Sequence, residues 1–110
     1  MSEKIYTIDE IRELIVPVAK KHGIKRVFLF GSYARGDADS SSDIDLRIDA
    51  PNISALFEIG EVYADFEEAI GKSLDLVTTE ALRNNIDDPL TRSFIKSIRK
   101  DEILLYEETE

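Results

Sequence analysis

Apolar residues recur along this chain with two periods, and each change of period marks a change of element. Ile8, Ile11, Ile15, Val18 and His22 fall at helical spacing behind Thr7-Ile8-Asp9-Glu10, which fits a capping box. This predicts an amphipathic helix ending at Gly23, kinked or split near Pro17 because proline removes a backbone donor. Arg26 to Phe30 is short and apolar, a buried strand running into Gly31-Ser32. Asp37 to Ser42 is polar loop, and Ile44 to Asp49 alternates as a second strand. Pro51-Asn52 opens a long helix with Ile53, Leu56, Phe57, Gly60, Tyr63, Phe66 and Ile70 as its apolar set, closed by Gly71. Leu74 to Thr78 is a third strand, Thr79 to Asn84 a helical turn, and Asp88-Pro89 the cap of a last helix. Leu90, Phe94, Ile95 and Ile98 form the expected buried stripe of that helix. Ile103 to Tyr106 is a final strand, and Glu107 to Glu110 a solvated tail.

The second strand carries chemistry on one face. Side chains alternate along a strand, so Asp43 and Asp45 point one way while Ile44, Leu46 and Ile48 point the other. Ten residues separate this pair from Gly31-Ser32. Asp75 is the acidic residue inside the third strand and completes a plausible triad. Three anions crowded together raise one another's pKa, so the cluster makes sense chiefly as a metal site. Two hard cations about 3.5 to 4 Å apart can clamp the attacking and leaving oxygens of an in-line phosphoryl displacement, and they take oxygen ligands. Opposite the carboxylates, Gly31 permits close approach of a phosphate, while backbone amides, the Ser32 hydroxyl and the Arg35 fork can donate to its oxygens. Arg47, on the carboxylate face, can pair with Asp49 or Asp75 or touch substrate, and the surface ion pair is the expected role.

Bulk properties narrow the partners. A length of 110 residues suits one domain spanning 1–110, with no room for a separate substrate domain. Net charge is -9, from 23 acidic and 14 basic residues, which argues against nucleic acid as a direct partner held by phosphate neutralisation. There is no cysteine, and no apolar run approaches the roughly 20 residues of a membrane span. The start, Met-Ser-Glu-Lys-Ile, lacks an apolar signal core. The expectation is a soluble, cytoplasmic protein with no membrane partner.

Two imitations of this pattern fail. The Gly31 to Gly36 segment resembles a Walker A loop, but Asp37 and Ala38 stand where Lys and a hydroxyl are needed. Asp37, Asp39, Ser41 and Asp43 resemble the start of a calcium loop, but Ser42 and Ile48 replace its turn glycine and its final carboxylate.

Gly31-Ser32-Tyr33-Ala34-Arg35-Gly36 with Ser42-Asp43-Ile44-Asp45-Leu46 resembles the signature of the polymerase β-type nucleotidyltransferases, and the chain's length and ending are similar to their minimal (MNT) branch. The resemblance covers nearly the whole chain. It implies an α/β (α+β) fold, with a mixed sheet of about four strands backed by helices. It further implies that Gly31 and Ser32 hold the triphosphate of ATP, with Arg35 beside them. Asp43 and Asp45 would bind two magnesium ions, with Asp75 as third ligand and acceptor of the attacking group's proton. The implied activity is transfer of AMP from ATP to a tyrosine of a cognate HEPN-domain ribonuclease toxin, for which the protein acts as antitoxin. The same triad would also serve a small-molecule nucleotidyltransferase, although those usually carry an extra helical domain. A non-catalytic antitoxin that masks its toxin is the other alternative.

Overall fold

The alternation in strand β2 (Ile44–Asp49) organises the molecule. In the computed structural model, which describes residues 4–53 and 55–109, Ile44, Leu46 and Ile48 are buried on one face of β2, and Asp45, Arg47 and Asp49 are half-buried on the other. Strand β1 (Arg26–Phe30) lies antiparallel to β2, β3 (Leu74–Thr78) parallel to it, and β4 (Ile103–Glu107) antiparallel to β1. The result is a mixed four-stranded sheet of order β3-β2-β1-β4. The helices are α1 (Ile8–Lys21), α2 (Gly31–Arg35), α3 (Leu56–Ile70), α4 (Thr79–Asn84) and α5 (Pro89–Asp101). This is the fold class that the sequence predicts.

The two sheet faces have different cover. Helices α1 and α3 pack together over the apolar face, where Ile11, Ile15, Val62 and Phe66 meet Val27, Leu29, Leu46 and Leu105 in one core. At the edge of this layer the Asp65 carboxylate takes His22 Nε2 at 2.7 Å and Lys21 Nζ at 2.9 Å, tying the end of α1 to α3. On the opposite face α5 lies over the sheet through an edge-to-face contact of Phe94 with Phe30, ring centroids 5.8 Å apart.

Several expectations need correction. Helix α1 runs unbroken through Pro17; Glu13, whose carbonyl loses its partner there, lies on the exposed side where water can serve it. The capping box at Thr7 and Glu10 forms as read. Pro51-Asn52 is a turn, and α3 starts at Leu56. Its buried face is set by Val62, Phe66 and Ile70, one helical turn apart, while Leu56 and Phe57 are 84% and 78% exposed and Gly60 and Tyr63 also face outward. The first turn of α3 overhangs the layer that it packs on.

In α5 Ile98 alone of the predicted stripe is buried, and Leu90 is 79% exposed. That helix covers a charged sheet face, which offers little apolar surface to receive the stripe. Glu107 belongs to β4, where its carboxylate takes Arg26 Nε at 2.8 Å; Glu110 lies outside the described residues.

The phase of α3 is open to a direct check. Phe66→Ala is expected to cost about 3–5 kcal/mol in urea unfolding, the range for removing a buried aromatic ring. Phe57→Ala should stay within about 0.5 kcal/mol of the parent, as surface changes do.

Candidate active site

Register fixes the centre of the site. Phe30, the last residue of β1, pairs with Asp45, so the chain turns into α2 directly beside that carboxylate. The turning residue is Gly31, with φ of +75°, and a Cβ added there would run into the Asp45 carboxylate. Glycine is thus required twice, for backbone conformation and for space. Helix α2 then ends at Gly36, again left-handed, whose N–H donates to the Ser32 carbonyl at 3.0 Å. Tyr33 anchors this short helix in the core; burial raises its pKa, and its hydroxyl has no hydrogen-bond partner among the described residues.

The parallel ladder supplies the second acid. Asp45 is in register with Asp75 on β3, and the two carboxyl groups come within hydrogen-bond range. Burial chiefly, then the contact with Asp75 and the nearby charge of Asp43, push Asp45 up to about 6, against a smaller opposing pull from Arg35. Asp43 precedes β2, is exposed, and acts on Asp45 through space. Among the described residues no three acidic or histidine side chains converge as a ready metal cage. The donor set nonetheless fits magnesium: all its ligating atoms are carboxylate oxygens, and their mutual repulsion is what a cation relieves. The bare side of Gly31 lets the Asp45 carboxylate lie directly against the turn that carries the phosphate-side candidates.

The phosphate-side candidates lie on α2. Ser32 is half-buried, and Arg35 is exposed, with Nε 3.3 Å from Asp37 and a terminal nitrogen 3.6 Å from Asp101. These two carboxylates hold the Arg35 guanidinium over the site's border.

Farther along the same face of β2 lies a second charged centre. Arg47 donates to Glu102 at 2.9 Å, Asp49 at 3.2 Å and the Thr79 hydroxyl at 2.6 Å, and its guanidinium stacks 4.0 Å from the Phe28 ring centroid. The expected pair with Asp49 forms; none with Asp75 does among the described residues. Glu102 and Thr79 escaped sequence reasoning. Alternation places Asp49 beside Arg47, but nothing local signals that the residue closing α5 returns to the sheet.

A strand, a left-handed glycine turn and paired carboxylates on adjacent parallel strands define a nucleotidyltransferase of the polymerase β type. The family profile "Polymerase beta, Nucleotidyltransferase" matches residues 13–110. A Methanocaldococcus jannaschii protein provisionally named a protein adenylyltransferase is 35% identical over 81 residues, 74% of this chain and 87% of that one. The protein adenylyltransferase MntA of Thermococcus cleftensis is 29% identical over 93 residues, 81% of this chain and 94% of that one. In fold, the chain is similar to one from the solved complex of a tri-AMPylated Shewanella oneidensis HEPN toxin with MNT antitoxin. The TM-score is 0.64 at 15% identity, over 93% of this chain and 74% of that one. The chain belongs to the polymerase β nucleotidyltransferases and, within them, to the minimal MNT branch.

Two outcomes test the geometry. Gly36→Ala, where a Cβ meets nothing, should cost only the left-handed strain of about 1–2 kcal/mol. Gly31→Ala should cost more, and the excess should vanish in the Gly31→Ala/Asp45→Ala double variant in a double-mutant cycle by urea unfolding. The second test concerns pH. An acid whose folded pKa is raised contributes stability below its unfolded value, ordinarily near 3.8, and loses it as pH rises through about 6. In metal-free buffer Asp45→Asn should therefore melt at higher temperature than the parent at neutral pH, the gap closing below about pH 4.

Proposed function

We propose that this chain is a magnesium-dependent protein adenylyltransferase, transferring AMP from ATP to a tyrosine hydroxyl of a HEPN-domain toxin and thereby acting as its antitoxin. The observation that carries the reading is the Asp45–Asp75 pair set against the bare face of Gly31. Family membership supports nucleotidyl transfer, and the relatives named above as protein adenylyltransferases support a protein acceptor. The HEPN partner is the one named in the complex that shares this fold.

Asp43 and Asp45, with Asp75, would hold magnesium, which when bound supplies positive charge for the triphosphate and for the attacking oxygen. Gly31 lets the triphosphate approach the backbone closely, and the Ser32 hydroxyl donates to its oxygens. Arg35 stands at the border of the same space; exchanging Asp37 for a phosphate oxygen would bring its fork onto the nucleotide. Asp75, exposed on its strand, can take the proton of the incoming tyrosine hydroxyl. The tyrosine oxygen forms a bond to the α-phosphorus, the bond from that phosphorus to the bridging oxygen breaks, and pyrophosphate leaves.

Incubation of the chain with ATP, magnesium and a candidate HEPN toxin, followed by intact mass spectrometry of the toxin, is expected to show AMP-sized increments that EDTA abolishes. Asp75→Asn should slow the transfer by about 100-fold or more, the scale of a lost general base. Neutralisation of the toxin without any adduct, undiminished in Asp43→Ala/Asp45→Ala, would instead establish masking.

A further inference from the structure

Of the chain's seven arginines, Arg12, Arg26, Arg35 and Arg47 each hold a carboxylate. Arg83, Arg92 and Arg99 form no ion pair among the described residues, and neither does Lys96. Arg92 donates to the Ile86 carbonyl at 3.0 Å, which leaves Arg83, Lys96 and Arg99 as uncommitted cations on α4 and α5 among the described residues, in a chain of net charge -9.

These cations border a groove. A cavity of about 330 Å³ rests on the Arg47–Glu102 network and is walled by Arg83, Ile86, Ile95 and Arg99, among others. A second depression, of about 530 Å³, shares Ile86, Ile95 and Arg99 with it and adds Arg92 and Lys96. The acids at the base, Asp49 and Glu102, are already engaged by Arg47, so the exposed walls present positive charge over aliphatic surface. The groove opens on the sheet face that carries Asp45, because Asp45, Arg47 and Asp49 share one side of β2. At a rise of roughly 3.3 Å per residue, an extended segment of about four residues spans from Asp45 to Asp49.

We propose that this groove docks an acidic, aliphatic segment of the protein acceptor, adjoining the hydroxyl that receives AMP. The proposal rests on the adenylyl-transfer reading for the identity of that acceptor. The free guanidinium groups of Arg83 and Arg99 select carboxylates, and the isoleucines select aliphatic side chains. No aromatic ring lines either depression, so bases find no ring to stack on, which favours a peptide over single-stranded nucleic acid. Arg83 and Arg99 are then specificity-determining residues outside the carboxylate centre.

The test uses the full chain without ATP or magnesium, and a fluorescein-labelled peptide of repeated Asp-Ile-Glu-Leu as probe in fluorescence anisotropy. The peptide is expected to bind, more weakly as salt rises, and about tenfold or more weakly to Arg83→Glu/Arg99→Glu, while Arg83→Lys/Arg99→Lys keeps most of the affinity. Thermal melting of the Lys variant should match the parent, while the Glu variant, which puts anions into the last turns of α4 and α5, should stay folded and melt a little lower. In the transfer assay the Glu variant should raise KM for the acceptor protein and leave KM for ATP unchanged. Absent or variant-insensitive peptide binding overturns the proposal. So does displacement of the peptide by a labelled single-stranded RNA that binds more tightly, or a rise in KM for ATP alone. Peptide binding as expected with no AMP adduct on any acceptor would reject the transfer reading and leave the groove as an acidic-segment site.

Discussion

Two carboxyl groups on neighbouring strands repel, and here the backbone holds them together. The parallel β2–β3 ladder puts Asp75 alongside Asp45, and that register is locked from the other side of the sheet. Ile44, Leu46 and Ile48 are buried beneath α1 and α3, and a slip of one residue would turn all three to the charged face. The apolar layer thus holds in place an electrostatic arrangement that would separate if left to itself. Gly31 extends the same constraint to the turn after β1, whose path is possible only without a side chain beside Asp45.

Along the same face, charge is handled in two opposite ways. Arg47 has carboxylates, a hydroxyl and an aromatic ring around its guanidinium, and it fastens the end of α5 to the sheet through Glu102. Asp45 has anions for neighbours and a pKa lifted to about 6. The satisfied centre is structural; the frustrated one is where the proposed magnesium and triphosphate would relieve repulsion. Helix α5 rests on this face through Phe94 against Phe30 at one point and Arg47 with Glu102 at another, leaving the groove between α4 and α5 open.

How much of this was legible depended on how locally each feature is encoded. The strands were readable because alternation and the flanking Gly and Pro residues mark them within a few positions. The Gly31-Ser32 to Asp43-Asp45 spacing lies within one strand-loop-strand unit, so its components were found from sequence and resemblance together. Asp75 came from strand position, and its place beside Asp45 follows from the parallel register. What failed to show were the faces of α3 and α5. Leu56, Phe57 and Leu90 have helical spacing to buried positions yet overhang their supports, and only the tertiary arrangement sets where a support ends. Glu102 was likewise hidden, because its partner lies 55 residues away on a strand in another part of the sequence.

Strand β3 is an edge of the sheet, and although the Leu74 carbonyl takes the Tyr63 hydroxyl at 3.1 Å, no neighbouring strand pairs with its outer side. Without its acid, Leu74–Thr78 is a short apolar run with two β-branched residues and no charge, the composition that recruits a second copy edge to edge. A charge in the middle of such a strand deters that pairing. Asp75 therefore guards the edge of the fold as well as serving the chemistry proposed for it, and a chain that traded this residue for an apolar one would expose a sticky seam along the rim of the proposed reaction centre.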